Sequence, residues 1–313
     1  MQKRGKTAAG VQRWLCVTCN KSGVRTRADV RIRHLRTHFV RWLTGVASLA
    51  AIASSMDRSR QHITKCFESF WGEKPPQPPA YEGADTVLIF DGVYLSGRAN
   101  AALVARTPLA VCSWHFAERE CFDAWDAFLN SLPAPAVVVI DGQKGLFEAV
   151  LKRFPQARIQ RCLVHVERFV RMCLSMRPKT AAGRELWRLI RSLWDVRTRE
   201  AAEDWRRRFL SWERYYDSFL KERSRSPETG RWWYTHRKLR AARSHIKNAL
   251  PYLFTFTEIP DVPRTTNHVE GGINSRLKEL VRRHRGLSPE RKQVLAAHFL
   301  ASKMVQKPPR EFT

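Results

Sequence analysis

The stretch TVLIFDGVYL, residues 86–95, decides how the rest of the chain is read. Its apolar, β-branched start predicts a strand, ended by Asp91 and followed at once by Gly92. AVVVIDGQKGL, residues 136–146, repeats the arrangement with Asp141 and Gly142. Side chains at the carboxyl ends of neighbouring strands share one crevice, and a following glycine lets backbone or ligand approach closely. Two carboxylates held together repel unless a divalent cation compensates both, and hard oxygen ligands suit magnesium or manganese. Either Asp-Gly alone is read equally well as a turn. The two together, each directly after an apolar strand, are read as a site.

Working outward, NAALVAR (100–106) and LAVCSWHF (109–116) are further strands, broken by Gly97 and by Thr107-Pro108. ECFDAWDAFLNSL (120–132) has the period of an amphipathic helix, GLFEAVLKRF (145–154) that of another, and ARIQRCLVH (157–165) reads as a strand. Three adjacent strands followed by helix, strand, helix and strand give an α/β fold, a mixed sheet covered by helices. Over residues 166–262 strand signals vanish and Arg and Trp abound, so this stretch is expected to be an all-helical insertion between a core at 82–165 and its completion at 263–313. Helix signals resume at Asn267, with Glu270 near the start and Asn274 one turn later on the same face, able to look into the crevice. Ser288-Pro289 opens a last helix.

Before the core, GEKPPQPPAY (72–81) holds four prolines and is read as a semi-rigid linker. Residues 34–71 are helical in pattern. SLAAIASSM (48–56) and SRQHITKCFESFW (59–71) make either a helix-turn-helix or a plain helical hairpin, with Arg58, Ser59, Arg60, Gln61, Thr64 and Lys65 outward. Arg and Gln there suit guanine and adenine edges. Residues 1–33 are basic with little apolar periodicity.

The 313 residues carry a net charge of +27 with 43% hydrophobic residues, enough for a buried core. So large an excess must either repel itself, as a solvated basic surface, or be neutralised by a polyanion, of which nucleic acid is the natural one. Charge alone would equally suit an RNA-binding structural protein. No apolar run is long enough to span a membrane, no secretory signal is visible, and seven scattered cysteines do not form a disulfide framework, so a cytoplasmic, nucleoid-associated protein with reduced thiols is expected.

The segments FDGVYLSGR (90–98), VVVIDGQKGL (137–146), RCLVHVERFV (161–170) and RTTNHVEGGINSRLKELVRRHRG (264–286) resemble the Mutator-like transposases of bacterial insertion sequences. The resemblance runs over nearly the whole chain, and Cys162 with His165 is a more discriminating mark of it than the acids. It implies an RNase H-like fold and a DDE site of Asp91, Asp141 and Glu270 holding two magnesium or manganese ions. The implied reaction is cleavage and transfer of double-stranded DNA at the element's inverted ends and into target DNA, by a homodimer or larger assembly. Another RNase H-like nuclease, or a silent DNA-binding repressor derived from a transposase, are the alternatives.

GKTAAGVQRWLCVTCNKSGV (5–24) resembles the second half of a zinc ribbon, with Cys16 and Cys19 as its surviving pair. The missing first pair is expected upstream of Met1, or else His34 and His38 close a Cys2His2 zinc site. Lys144, Arg264, Asn267 and His268 flank the acids and could hold phosphate, or be ordinary loop residues. Arg206, Arg207 and Arg208 are candidates for DNA backbone contact. In WRRRFLSWERYY (205–216) and RWWYTHRKLR (231–240), Arg and Trp can grip phosphate and stack on unpaired bases, though most of the tryptophans are read as helix-packing core.

Overall fold

The computed structural model describes residues 1–24, 28–78, 80–81, 87–267 and 270–304, with only the backbone described for Ala28 and Glu270. The chain forms two compact units, one of residues 1–76 with 282–299, the other of residues 77–281 and the segment after Phe299.

The first unit opens with β1 (Gln2–Lys6), β2 (Gln12–Leu15) and β3 (Ser22–Val24), an antiparallel sheet in the order β1-β2-β3. All of β1 is exposed, and β2 and β3 have only four and three residues, so no apolar alternation betrays them. Helices α1 (Ala28–Leu43), α2 (Leu49–Ser55) and α3 (Arg60–Trp71) follow. The side chains of Ser48 and Ser59 cap α2 and α3 by accepting from Ala51 N and His62 N, as short polar residues ahead of an apolar period should. One face of α3, with Ile63, Phe67 and Phe70, is buried, and Phe39 of α1 packs edge-on to Phe67 and Trp71 with ring centroids 5.4 and 5.1 Å away.

In the second unit the mixed sheet is built from β4 (Val87–Ser96), β5 (Ala99–Arg106), β6 (Val111–Ala117), β7 (Val137–Ile140) and β8 (Arg158–Arg161), in the order β6-β5-β4-β7-β8. β4, β5 and β6 are antiparallel neighbours, while β7 runs parallel to β4 and β8 parallel to β7. Helices α4 (Phe122–Asn130) and α5 (Lys144–Arg153) supply the crossovers that parallel strands require. They cover one face of the sheet: Leu88, Phe90, Val138 and Ile140 share a core with Trp125, Phe128, Leu146 and Val150. With a strand period of two, Ile89, Asp91 and Val139 point to the other face.

Helices α6 (Leu163–Leu174), α7 (Ala181–Arg191), α8 (Arg199–Tyr215), α9 (Asp217–Lys221) and α10 (Arg237–Ala249) build a second core around Leu186, Trp205, Phe209, Trp212 and Ile246. Trp205 and Trp212 satisfy their buried indole N–H groups on backbone carbonyls of α7, Leu189 and Ala182. The insertion is not all-helical as expected: β9 (Arg223–Arg225) and β10 (Trp232–Tyr234) form an antiparallel hairpin within it. Three residues per strand are too few for a period to register, and Trp, Trp and Tyr are strand formers whose packing decides the outcome. The insertion returns to the sheet at β8, where buried Gln160 donates to Leu253 O and accepts from Phe256 N. A π-type turn over Glu270–Asn274 leads into α11 (Ser275–Arg283), and α12 (Pro289–Ala301) follows. Among the described residues no helix is long and apolar enough to cross a membrane.

Candidate active site

The parallel pairing of β4 with β7 runs Val87 to Val137, Leu88 to Val138 and Ile89 to Val139. Continuing that register by two residues sets Asp91 beside Asp141, at one level of the sheet and on the face away from α4 and α5. Asp141 follows the end of β7 as the sequence predicts, but Asp91 does not end its strand. β4 continues to Ser96, paired with β5 through Asp91–Val104 and on to Ser96–Ala99. The antiparallel neighbour carries the strand onward where the parallel one stops, so Asp91 stands at the lip left by the end of β7 and is 7% exposed.

Each glycine after an acid makes room for another charged side chain. A β-carbon on Gly92 would lie 2.6 Å from Cδ of Glu120, and one on Gly142, whose φ is +86°, would overlap the guanidinium of Arg161. Glu120, in the loop between β6 and α4, was not singled out by the sequence. Burial, and then the charge of Asp141, push its carboxyl up to about 7. Arg161 is buried and donates from Nη2 to the backbone carbonyl of Asp141 at 3.1 Å. Gln143 ties these parts together: its backbone N–H donates to Asp141 Oδ1 at 2.8 Å, its Oε1 caps α5, and its Nε2 reaches the Glu120 carbonyl at 3.3 Å.

Asn274 reaches the acids from the π-type turn. Its Nδ2 donates to Asp91 Oδ2 at 2.8 Å, it is 4% exposed, and its Oδ1 has no hydrogen-bond partner among the described residues. Glu270 begins the same turn, and its side chain, like His268, lies outside the described residues. Asp91, Glu120, Asp141, His165, Arg168, Asn267, Asn274 and Lys278 line one open cleft of about 560 Å³.

Cys162 follows β8, its N–H on the Ile140 carbonyl, and is fully buried where α6 begins. Burial would raise its thiol pKa, but hydrogen bonds from His165 and Thr266 and the charge of His165 outweigh burial and lower it. Cys162 thus backs the cleft wall that His165 faces. His245 of α10 lies near: burial, then Arg161 and His165, push it down to about 4.

The remaining predicted residues lie elsewhere. Lys144 is exposed and ion-paired with Glu148, and Arg264 bonds to the Trp194 carbonyl and lies over the Phe256 ring; neither lines the cleft. Arg206 pairs with Glu203, and Arg207 and Arg208 with Asp204, along α8. Arg58, Arg60, Gln61 and Lys65 are exposed around the start and outer face of α3. Cys16 and Cys19 sit in the turn between β2 and β3, where hydrogen bonds from Cys19, and then Thr18, lower the Cys16 thiol to about 7. His34 and His38 do not complete a set with them. Among the described residues no three His, Cys, Asp or Glu side chains are grouped closely enough to hold a metal ion as they stand.

The family model for transposases of the Mutator family matches residues 106–299, more than half of the chain. The chain belongs to the Mutator family of transposases. No curated protein matches it. The matched span begins at Arg106, beyond Asp91, and takes in Glu120, Asp141, Cys162, His165, the insertion and Asn274. DNA is the partner of such a protein, which accounts for the charge of +27. The transposase's cleft is lined by the carboxylates of Asp91, Glu120 and Asp141 and by the buried Asn274 Oδ1, which has no partner among the described residues; these are hard oxygen donors, the type that magnesium or manganese takes.

Proposed function

We propose that the transposase cleaves and joins DNA strands in this cleft as a DDE enzyme with an RNase H-like core. The observation that carries the reading is the register placing Asp91 beside Asp141 while Asn274 bonds to Asp91. That bond ties the turn beginning at Glu270 to Asp91. The strand order β6-β5-β4-β7-β8 is the one such a core would have.

Asp91, Asp141 and Glu270 would hold the ions. Bound there, two divalent ions would supply Lewis-acid activation of a water or DNA 3′-hydroxyl and offset charge on the leaving oxygen. The chain's own work is positioning. Asn274 fixes one oxygen of Asp91, and the Gly92 N–H donates to the other at 2.9 Å. Gln143 N–H and Arg161 set the carboxylate and backbone of Asp141. Lys278, Arg168 and Asn267 line the same cleft and would meet a phosphate.

The fold of α2 and α3 supports a helix-turn-helix reading the element ends, with Arg60, Gln61 and Lys65 toward the bases or phosphates. The depressed Cys16 thiol supports a zinc-holding role for Cys16 and Cys19. An assembly of two or more copies on DNA is part of the same reading.

The test is end-labelled or supercoiled element DNA with magnesium. The parent protein nicks and joins it, and Asp91→Asn, Asp141→Asn and Glu270→Gln do not. Variants as active as the parent would overturn the site. A parent that binds the ends without cutting would point to the repressor instead.

A further inference from the structure

We propose that the hairpin β9–β10 is a platform for an unpaired stretch of DNA strand, with Trp232 stacking on a base and Arg223, Arg225 and Arg231 meeting the phosphates around it. The inference rests on DNA being the substrate and adds where, and in what state, the strand is held.

The register pairs Trp232 with Arg225 and Tyr234 with Arg223, so these four side chains share one face of the hairpin, and Trp233 with Ser224 faces the other way. On the first face aromatic and guanidinium groups are already interleaved. Arg223 lies over Trp232 at 4.2 Å and reaches Tyr234 at 5.7 Å, the two rings meet edge-on at 5.4 Å, and Arg240 backs Tyr234 at 3.6 Å.

An isolated two-stranded hairpin is marginally stable, yet this one is pinned at its base. Arg240 donates to the Leu220 carbonyl, His236 bonds to Glu222 at 2.8 Å and stacks on Phe219, and the Ser224 and Thr235 hydroxyls meet at 2.8 Å. The loop is held as well, Ser226 N–H on Arg231 O and Gly230 N–H on Ser226 O. A platform built in advance loses little freedom when a ligand arrives.

Two contrasts inside the insertion identify the ligand. Trp187, Trp205 and Trp212 are buried in the helical core, whereas Trp232 is 45% exposed. Arg206, Arg207 and Arg208 of α8 each have a carboxylate within ion-pair distance, while among the described residues Arg223, Arg225, Arg231 and Arg237 have none. Glu222, the acid at the hairpin's base, is occupied by His236. An exposed ring flanked by unpaired guanidinium groups suits a partner with a flat π-face and a negative backbone. A base in duplex hides its faces in the stack; an unpaired one does not.

The experiment is equilibrium binding of the full chain to three labelled DNAs: a blunt duplex, the same duplex with a short single-stranded tail, and the single strand alone. Trp232→Ala is expected to weaken the tailed duplex and the single strand about tenfold, with the blunt duplex little changed, and Trp232→Phe to recover most of the loss. Arg225→Ala is expected to lower the slope of log affinity against log salt by about one on the tailed DNA. Trp232→Ala binding all three as the parent does, or losing the same factor on all three, would overturn the proposal. So would an acidic peptide that competes for the hairpin as well as the single strand. These comparisons need no cleavage: a parent that never cuts DNA defeats the catalytic reading alone, and a neutral Trp232→Ala in an active parent defeats this one alone.

Discussion

Glu120→Gln tests the electrostatics of the cleft through stability rather than activity. The Glu120 carboxyl titrates near 4.5 in the unfolded chain and is pushed up to about 7 in the fold, first by burial and then by Asp141. Below pH 4.5 both states hold the proton and the group is neutral to stability. As pH rises from 4.5 to 7 the unfolded chain releases the proton while the folded one keeps it, so stability falls, and above 7 the full penalty stands. At about 1.4 kcal/mol per pH unit the displacement amounts to about 3 kcal/mol. Gln has the same shape and no charge to bury. In metal-free buffer with chelator, urea unfolding of parent and variant should differ little at pH 4.5, and the variant should gain up to about 3 kcal/mol by pH 8. A difference that stays constant from pH 4.5 to 8 would refute the placement of a buried carboxyl against Asp141.

Gly142→Ala meets both a left-handed backbone and the buried guanidinium of Arg161, whereas Gly97, at φ +56°, has open space around a β-carbon. Gly97→Ala should cost about 1–2 kcal/mol, the backbone term alone, and Gly142→Ala clearly more in the same urea melts; equal costs would contradict the packing of Arg161 on Gly142. Cysteine labelling reads the thiols: at pH 7.5 in buffer with a zinc chelator, iodoacetamide followed by mass spectrometry should modify Cys16, whose thiol is lowered to about 7, well before Cys112, buried and pushed up to about 11. Equal labelling of the two would contradict both environments.

Much of the core was legible because its strands are short apolar runs between strong breakers: TVLIF, AVVVI and the Thr107-Pro108 turn each leave a local mark. The end of β4 was not, since Asp91 looks like a terminus in one dimension. Only the pairing with β5 continues the strand past it. Glu120 left no signal either, one of two glutamates in the polar run AEREC, whose burial depends on Gly92 across the sheet. The hairpin in the insertion was hidden by helix-rich neighbours and strands of three residues. The N-terminal sheet was hidden because β1 is exposed along its whole length and β2 and β3 are too short for an apolar period to register. What the sequence shows is periodicity and punctuation; what it withholds is which distant side chain fills the space beside a glycine.

The most direct measurement is manganese binding followed by electron paramagnetic resonance, on the full chain with element-end DNA, for the parent, Asp91→Asn and Asp141→Asn. The parent is expected to take up about two ions, and either substitution to weaken uptake at least tenfold while the DNA stays bound. Uptake by both variants equal to that of the parent would contradict the proposed site.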